Sequence, residues 1–121
     1  PGAWNKMFKE YLGIVPPDDA NGILQDVHLS FGGFGYFPTY ALGNLVSAQV
    51  WEKMADEIGN LEEQIEKAQF AEILDWLRKN LHVFGAKYEP QVLVEKVTGS
   101  RITPEPYIQY LKAKFAEIYQ I

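Results

Sequence analysis

Apolar side chains recur at helical spacing along most of the chain. At the start, Trp4, Met7, Phe8, Tyr11 and Leu12 fall on one face of a helix. Similar periods follow downstream, and no stretch alternates apolar and polar residues with comparable strength. A strand needs that alternation to bury one face of a sheet. The sequence therefore predicts an all-α fold of about five helices.

Glycine and proline residues divide this pattern into elements. The first helix is expected to end at Gly13, and the second to begin near Thr39 and to end or kink at Gly59-Asn60. A further long helix, the third element, is predicted with its inward-facing residues over 61–81 and its stop at Gly85. His82 would lie near the C-terminal end of this helix and interact favourably with the helix dipole. Two further helices are predicted, one from Pro90 to Gly99 and one that uses Thr103 as N-cap and Pro104 as its first residue.

The length of 121 residues is that of one domain, so residues 1–121 are interpreted as a single helical domain. Hydrophobic residues make up 47% of the chain, including seven Phe, seven Tyr and three Trp, which is enough for a packed core. A domain of this size buries a modest share of its surface. If some aromatic residues belong to the core of a larger body, the chain by itself should expose an unusually large apolar patch.

Charge and cysteine content exclude several classes of protein. The formal net charge is -5 and no basic run is longer than the Arg78-Lys79 pair, so a nucleic-acid partner is not expected. No apolar stretch approaches the roughly 20 residues that cross a bilayer, so no membrane partner is expected either. The chain has no cysteine, which agrees with a cytoplasmic location.

One irregular segment, residues 22–40, breaks the helical pattern and is rich in glycine and aromatic residues. It holds an amide, a carboxylate, an imidazole and two phenols, from Gln25, Asp26, His28, Tyr36 and Tyr40. Imidazole and phenol groups can donate hydrogen bonds to an oxyanion without binding a metal. The same polar side chains could instead satisfy backbone groups in a tight loop, and composition alone favours that structural interpretation.

The orientation of Asp26 relative to His28 depends on the local backbone. In an extended segment the two side chains point the same way, and Asp26 could orient the imidazole; in a helical turn they would not face each other. Elsewhere, the acidic residues near Lys67 are interpreted as a solvated helix face with an ion pair between Glu63 and Lys67. No H-E-x-x-H sequence is present, because Leu29 follows His28 and Val83 follows His82.

Residues 22–28 carry the pattern G-x-x-Q-D-x-H, which resembles the G-x-x-Q-D-x-H-W motif of the carboxypeptidase Taq family of zinc metallopeptidases. Residues 34–45, the later His-x-x-Gly and Val-Thr-Gly turns and the closing Tyr-Leu helix are also similar to that family, so the resemblance covers essentially the whole chain. One departure is Leu29, which stands where the family motif has Trp. The resemblance implies the C-terminal part of a larger, two-lobed helical metallopeptidase.

The resemblance also implies an activity, the release of single residues from the free C-terminus of peptides. Zinc would be held upstream by an H-E-x-x-H helix and a third glutamate, so no metal ligand is assigned in this chain. His28 and Tyr40, with Tyr36 as the alternative phenol, would donate hydrogen bonds to the oxyanion or substrate, with Gln25 and Asp26 in support. The expected partners are the missing N-terminal part and a second copy in a homodimer. The chain alone is expected to be inactive, and the alternative is a free-standing helical interaction module that has lost the catalytic half.

Overall fold

The computed structural model describes residues 1–121 and contains α-helices and short 3₁₀ turns but no strand. The predicted all-α class is therefore confirmed. None of the helices combines the length and the apolar character that crossing a membrane requires. The six α-helices are α1 (Gly2–Leu12), α2 (Thr39–Ile58), α3 (Leu61–Glu66), α4 (Ala71–Asn80), α5 (Pro90–Thr98) and α6 (Glu105–Tyr119).

Several predicted helix ends are confirmed. Gly13 and Gly99 adopt left-handed conformations with φ of 74° and 83°, and each closes its helix by donating from its N–H to the carbonyl four residues earlier. Glycine takes this conformation without a Cβ penalty, which explains why it marks these ends. The last helix begins one residue later than predicted, because Pro104 is its N-cap, with no side-chain capping bond from Thr103.

The predicted helix over residues 61–81 is wrong as a single element. It is divided into α3 and α4 by Ala68, a non-glycine residue with φ of 54°. The Gln69 N–H donates to the Gln64 carbonyl at 2.7 Å, closing α3 with the six-residue bond of a Schellman motif. The sequence lacks a glycine here, so nothing in the pattern marked the break. As a second consequence, α4 ends at Asn80, and His82 lies in a separate 3₁₀ turn rather than on a long helix.

The chain forms two compact units, residues 1–40 and residues 41–121. The first contains α1, two 3₁₀ turns and the start of α2. In the second, a small core comes from α2, α3 and α4, where burying apolar area from water stabilises the packing. This core consists of Val50, Met54, Leu61 and Trp76, with Val46, Ala55, Ile58, Ile73, Leu77 and Val97 packed against it.

Within the second unit, Gln49 of α2 fixes the segment between α5 and α6. Its side chain is only 3% exposed, and its amide nitrogen donates to Ser100 Oγ at 2.7 Å and to the Arg101 carbonyl at 3.0 Å. Its amide oxygen accepts from the Thr103 N–H at 3.2 Å. A buried polar group without partners is costly, so this pairing determines how the chain enters α6.

Large apolar side chains are widely exposed along the chain. Phe34 is 79% exposed and Phe31 is 71% exposed, although aromatic side chains usually bury most of their surface. Each unit has further exposed apolar side chains: Tyr11, Leu12, Leu24 and Val27 in the first, and Phe70, Val83, Ile118 and Tyr119 in the second.

Candidate active-site loop

The backbone of residues 22–40 is organised by two 3₁₀ turns, Ile23–Gln25 and Val27–Phe31, with Asp26 between them. The second turn ends at Gly32, whose φ is 81°, and Gly35 is also left-handed with φ of 75°. These conformations strain residues that carry a Cβ, so the glycine content of the segment has a conformational cause. The turns bring polar residues that are close in sequence into one local cluster.

Asp26 holds His28 through both its backbone and its ring. One carboxylate oxygen, Oδ1, accepts from the His28 backbone N–H at 3.1 Å and pairs with Nδ1 at 2.9 Å. Both residues are buried, each with 8% of its surface exposed. The segment is neither extended nor a regular helix here, because Asp26 acts as the N-cap of the turn and its side chain folds over the first residues. The structure therefore brings Asp26 and His28 together, as an orienting role requires.

This pairing determines what the other ring nitrogen of His28 can do. An ionised carboxylate only accepts hydrogen bonds, so Nδ1 carries the hydrogen in the contact with Asp26. In the neutral ring Nε2 is then an acceptor, and in the protonated ring it is a donor. Nε2 has no hydrogen-bond partner within the chain. A ring held in this way is oriented, with one nitrogen available for a further partner.

Four aromatic rings surround the His28 imidazole. The nearest is Tyr36, with ring centroids 4.8 Å apart, followed by Phe37 at 5.5 Å, Phe31 at 5.6 Å and Tyr40 at 5.8 Å. Tyr36 and Tyr40 also contact each other edge to face at 5.9 Å and are 54% and 58% exposed. Both phenols thus lie beside the imidazole on an accessible surface, and the structure brings all three predicted donors together.

Gln25 has a different position from the other predicted residues. Its amide nitrogen donates to the carbonyl oxygen of Ala20, and it makes no hydrogen bond to Asp26 or His28. Upstream, Asp18 accepts from the backbone and the side chain of Asn21 at 2.8 Å and 2.9 Å. These hydrogen bonds hold the pKa of the Asp18 carboxyl below its ordinary value. Gln25 and Asp18 therefore shape the entry to the turn.

Phe37 was missed by the sequence reasoning, although its ring packs against His28 and lies 6.1 Å from Tyr40. Its position directly after Tyr36 in the glycine-rich segment was the available signal. Leu29, where the family motif has an aromatic residue, is half-buried in the same turn.

The donor groups of the chain do not fit a metal ion. No three His, Asp or Glu side chains lie close enough together to hold one, and the chain has no cysteine. Zinc is usually held by three or four protein ligands. Asp26 and His28 provide two groups, and they are hydrogen-bonded to each other. The residues of this chain do not make a metal site by themselves.

Several carboxypeptidases of known structure are similar to this chain. The M32 carboxypeptidase from Deinococcus radiodurans R1 superposes with a TM-score of 0.88 at 36% identity, over 99% of this chain and 24% of that one. The sequence model of the Carboxypeptidase Taq (M32) metallopeptidase family matches residues 1–115, and the chain belongs to this family. Membership implies a metal cofactor, generally zinc, for the family's chemistry.

Two relatives show how much of such a protein the chain represents. It is 44% identical to thermostable carboxypeptidase 1 of Thermus thermophilus over 98% of its own length and 23% of the relative's. It is 39% identical to carboxypeptidase 1 of Bacillus subtilis, covering 98% of this chain and 24% of the relative. The chain thus spans about a quarter of the length of the curated relatives that it matches.

Proposed function

We propose that this chain acts as the C-terminal part of a zinc-dependent metallocarboxypeptidase that releases single residues from peptide C-termini. The observation that carries the proposal is the Asp26–His28 pair, which holds an imidazole against two accessible phenols in residues 22–40. Under this proposal these residues form an active-site loop. The substrate is a peptide with a free C-terminus, and the metal ligands and the general base lie elsewhere in the intact enzyme.

The chain's own contribution is to bind the carbonyl oxygen of the bond that breaks. That oxygen gains negative charge as the tetrahedral intermediate forms, and fixed hydrogen-bond donors stabilise it more than they stabilise the substrate. The hydroxyl groups of Tyr36 and Tyr40 can donate hydrogen bonds. A protonated His28 ring can donate from Nε2, while Asp26 holds the ring in place through Nδ1.

The exposed apolar surface supports this role over that of a free-standing interaction module. A module that has lost the catalytic half should have a polar outer face, whereas Phe31, Phe34 and Ile118 are each more than half exposed. Extensive apolar exposure of this kind marks a region that other protein covers. The same proposal places the intact enzyme in the cytoplasm as a homodimer, and light scattering of the full-length protein would measure its oligomeric state.

The test uses the full-length enzyme that contains this segment. His28→Ala and Tyr40→Phe should each lower kcat/KM for a peptide with a free C-terminus by about 10²- to 10³-fold, the effect of removing one oxyanion donor. The matched controls are His82→Ala and Tyr119→Phe, at a histidine and a tyrosine that both lie outside residues 22–40. Unchanged kcat/KM in both loop variants would contradict the proposed roles.

A second measurement tests the chain by itself. The proposal requires that the purified 121-residue chain neither hydrolyses such a peptide nor binds zinc tightly. The absence of any group of three potential ligands supports this expectation. Equilibrium dialysis against zinc and a peptidase assay measure both properties. Stoichiometric zinc uptake or measurable hydrolysis would overturn it.

A further inference from the structure

Phe37 has an unusual place in the aromatic cluster around His28. Its ring packs against two of the proposed donors, with centroid distances of 5.5 Å to His28 and 6.1 Å to Tyr40. Phe31 reaches His28 but makes no ring contact with Tyr40, and Tyr36, which reaches both, has a hydroxyl group. Phe37 is therefore the member of the cluster that contacts both donors with a purely apolar side chain.

The side chains of this chain leave part of Phe37 uncovered. It is 45% exposed, whereas His28 beside it is 8% exposed. Its apolar surface is thus partly covered by the donors and partly free. An apolar surface of this kind beside fixed polar groups is typical of a ligand site, where the polar groups set orientation and the apolar groups select the side chain.

The substrate's covalent geometry determines which residue would meet this surface. The carbonyl bound by the donors belongs to the penultimate residue of the peptide, because the bond that breaks joins that carbonyl to the last residue. The side chain of the penultimate residue begins three bonds from the same oxygen. When the oxygen is hydrogen-bonded to His28 or Tyr40, that side chain begins close to residues whose rings pack against Phe37, and it can therefore reach the ring of Phe37.

We propose that Phe37 is a specificity-determining residue that favours peptides whose penultimate residue is aromatic or large and aliphatic. The inference rests on the proposed role of His28 and Tyr40 and extends it to the choice of substrate. Packing the substrate side chain against the ring removes apolar surface of both groups from water. Peptides with alanine or glycine at that position gain less from the contact and are selected less strongly.

The test compares two peptides that differ only at the penultimate position, one with phenylalanine and one with alanine. In the full-length enzyme, Phe37→Ala should lower the ratio of kcat/KM for the phenylalanine peptide over the alanine peptide by about tenfold, the lower range for apolar discrimination. Phe37→Leu keeps an apolar side chain and should retain most of the preference. Phe34→Ala is the matched control, because Phe34 lies in the same segment but makes no ring contact with His28 or Tyr40.

The ratio of kcat/KM between the two peptides distinguishes a loss of substrate preference from a general disturbance of the loop. If Phe37→Ala lowers kcat/KM equally for both peptides, or leaves the wild-type ratio in place, the specificity role is wrong. A wild-type enzyme that does not prefer the phenylalanine peptide also contradicts it. Hydrolysis of the alanine peptide by His28→Ala tests the proposed function separately. If His28→Ala loses most of its kcat/KM while Phe37→Ala keeps the wild-type ratio, the specificity role of Phe37 is wrong and the proposed role of His28 stands.

Discussion

The backbone N–H of Gly33 donates a 2.8 Å hydrogen bond to the carbonyl oxygen of His28, and a side chain at position 33 would make unusually tight contacts with His28. A Cβ added to Gly33 would lie 3.2 Å from the Cβ and the carbonyl oxygen of His28. Because one of these atoms belongs to the backbone, relief of the contact requires movement of His28 itself.

We therefore predict that Gly33→Ala lowers kcat of the full-length enzyme by roughly tenfold or more, since sub-ångström errors in position are costly in catalysis. Gly43→Ala is the matched control, because a Cβ at Gly43 in α2 meets no atom within 4 Å. That control should leave kcat unchanged and slightly stabilise the helix. Equal kcat for Gly33→Ala and the wild type would show that the position of His28 does not limit the reaction.

A second prediction concerns the buried amide of Gln49. Gln49→Leu removes the acceptor of the Thr103 N–H and the donor to the Arg101 carbonyl, leaving two backbone groups without partners. We expect a loss of about 1–3 kcal/mol in the free energy of unfolding, measured by urea denaturation. Gln109→Leu in α6 is the control, because Gln109 is exposed and should tolerate the change. Equal stability of the two variants would contradict the anchoring role of Gln49.

A third prediction concerns the left-handed alanine between α3 and α4. Ala68 has φ of 54°, a conformation that costs a residue with a Cβ roughly 1–2 kcal/mol. Ala68→Gly removes that strain but adds freedom to the unfolded chain, so the net gain should be up to about 1 kcal/mol. Ala113→Gly, within α6, should instead lose roughly 0.5–1 kcal/mol. Urea denaturation of both variants measures whether the free energy of unfolding rises in Ala68→Gly and falls in Ala113→Gly. A lower free energy of unfolding in Ala68→Gly would argue against the left-handed turn.

A fourth prediction follows from Glu57 and its two partners. Hydrogen bonds from Lys53 and from the indole of Trp76 hold the pKa of the Glu57 carboxyl below its ordinary value. A carboxyl with a lowered pKa in the folded state stabilises the protein above its ordinary pKa of about 4.3, and this contribution disappears as the pH falls through the folded pKa.

Glu57→Gln should therefore be less stable than the wild type near pH 7, and the difference should shrink on acidification to about pH 3. The free energy of unfolding of both proteins at the two pH values tests this. The effect should be small and reduced by salt, since the pair lies at the surface. Glu117→Gln, at a carboxyl with no ion pair in the chain, should show no such difference. A difference between Glu57→Gln and the wild type that stays constant with pH would contradict the assigned cause.

A structural feature could be predicted from the sequence where one residue type is enough to cause it. Gly13 and Gly99 end their helices as expected because both need positive φ, and the ion pair between Glu63 and Lys67 forms at i,i+4 as helix geometry dictates. The division of the long helix at Ala68 was not predictable in this way. Its turn is held by the backbone bond from Gln69 to Gln64 and by the bond from the Gln64 side chain to Glu72, neither of which has a compositional signal.

The candidate site shows the same limit. The motif identified Asp26 and His28 as neighbours, but spacing alone left their orientation open, because neither an extended strand nor a regular helix describes the backbone between them. The contact between Asp26 and His28 depends on a 3₁₀ turn that the Asp26 side chain itself caps. The participation of Phe37 depends on how residues 33–36 fold back towards His28, which no periodic pattern encodes.

The hydrogen bond from Gln25 to the Ala20 carbonyl has a consequence for how the motif of residues 22–28 is used to recognise related sequences. Gln25 and His28 of the motif have different roles. The Gln25 side chain closes a turn, whereas His28 presents its ring to its surroundings. A related sequence that kept the glutamine and replaced the histidine would still build this turn and still score well against the motif. It would resemble a working enzyme to any search that counts matched positions, while lacking the group on which the proposed chemistry depends.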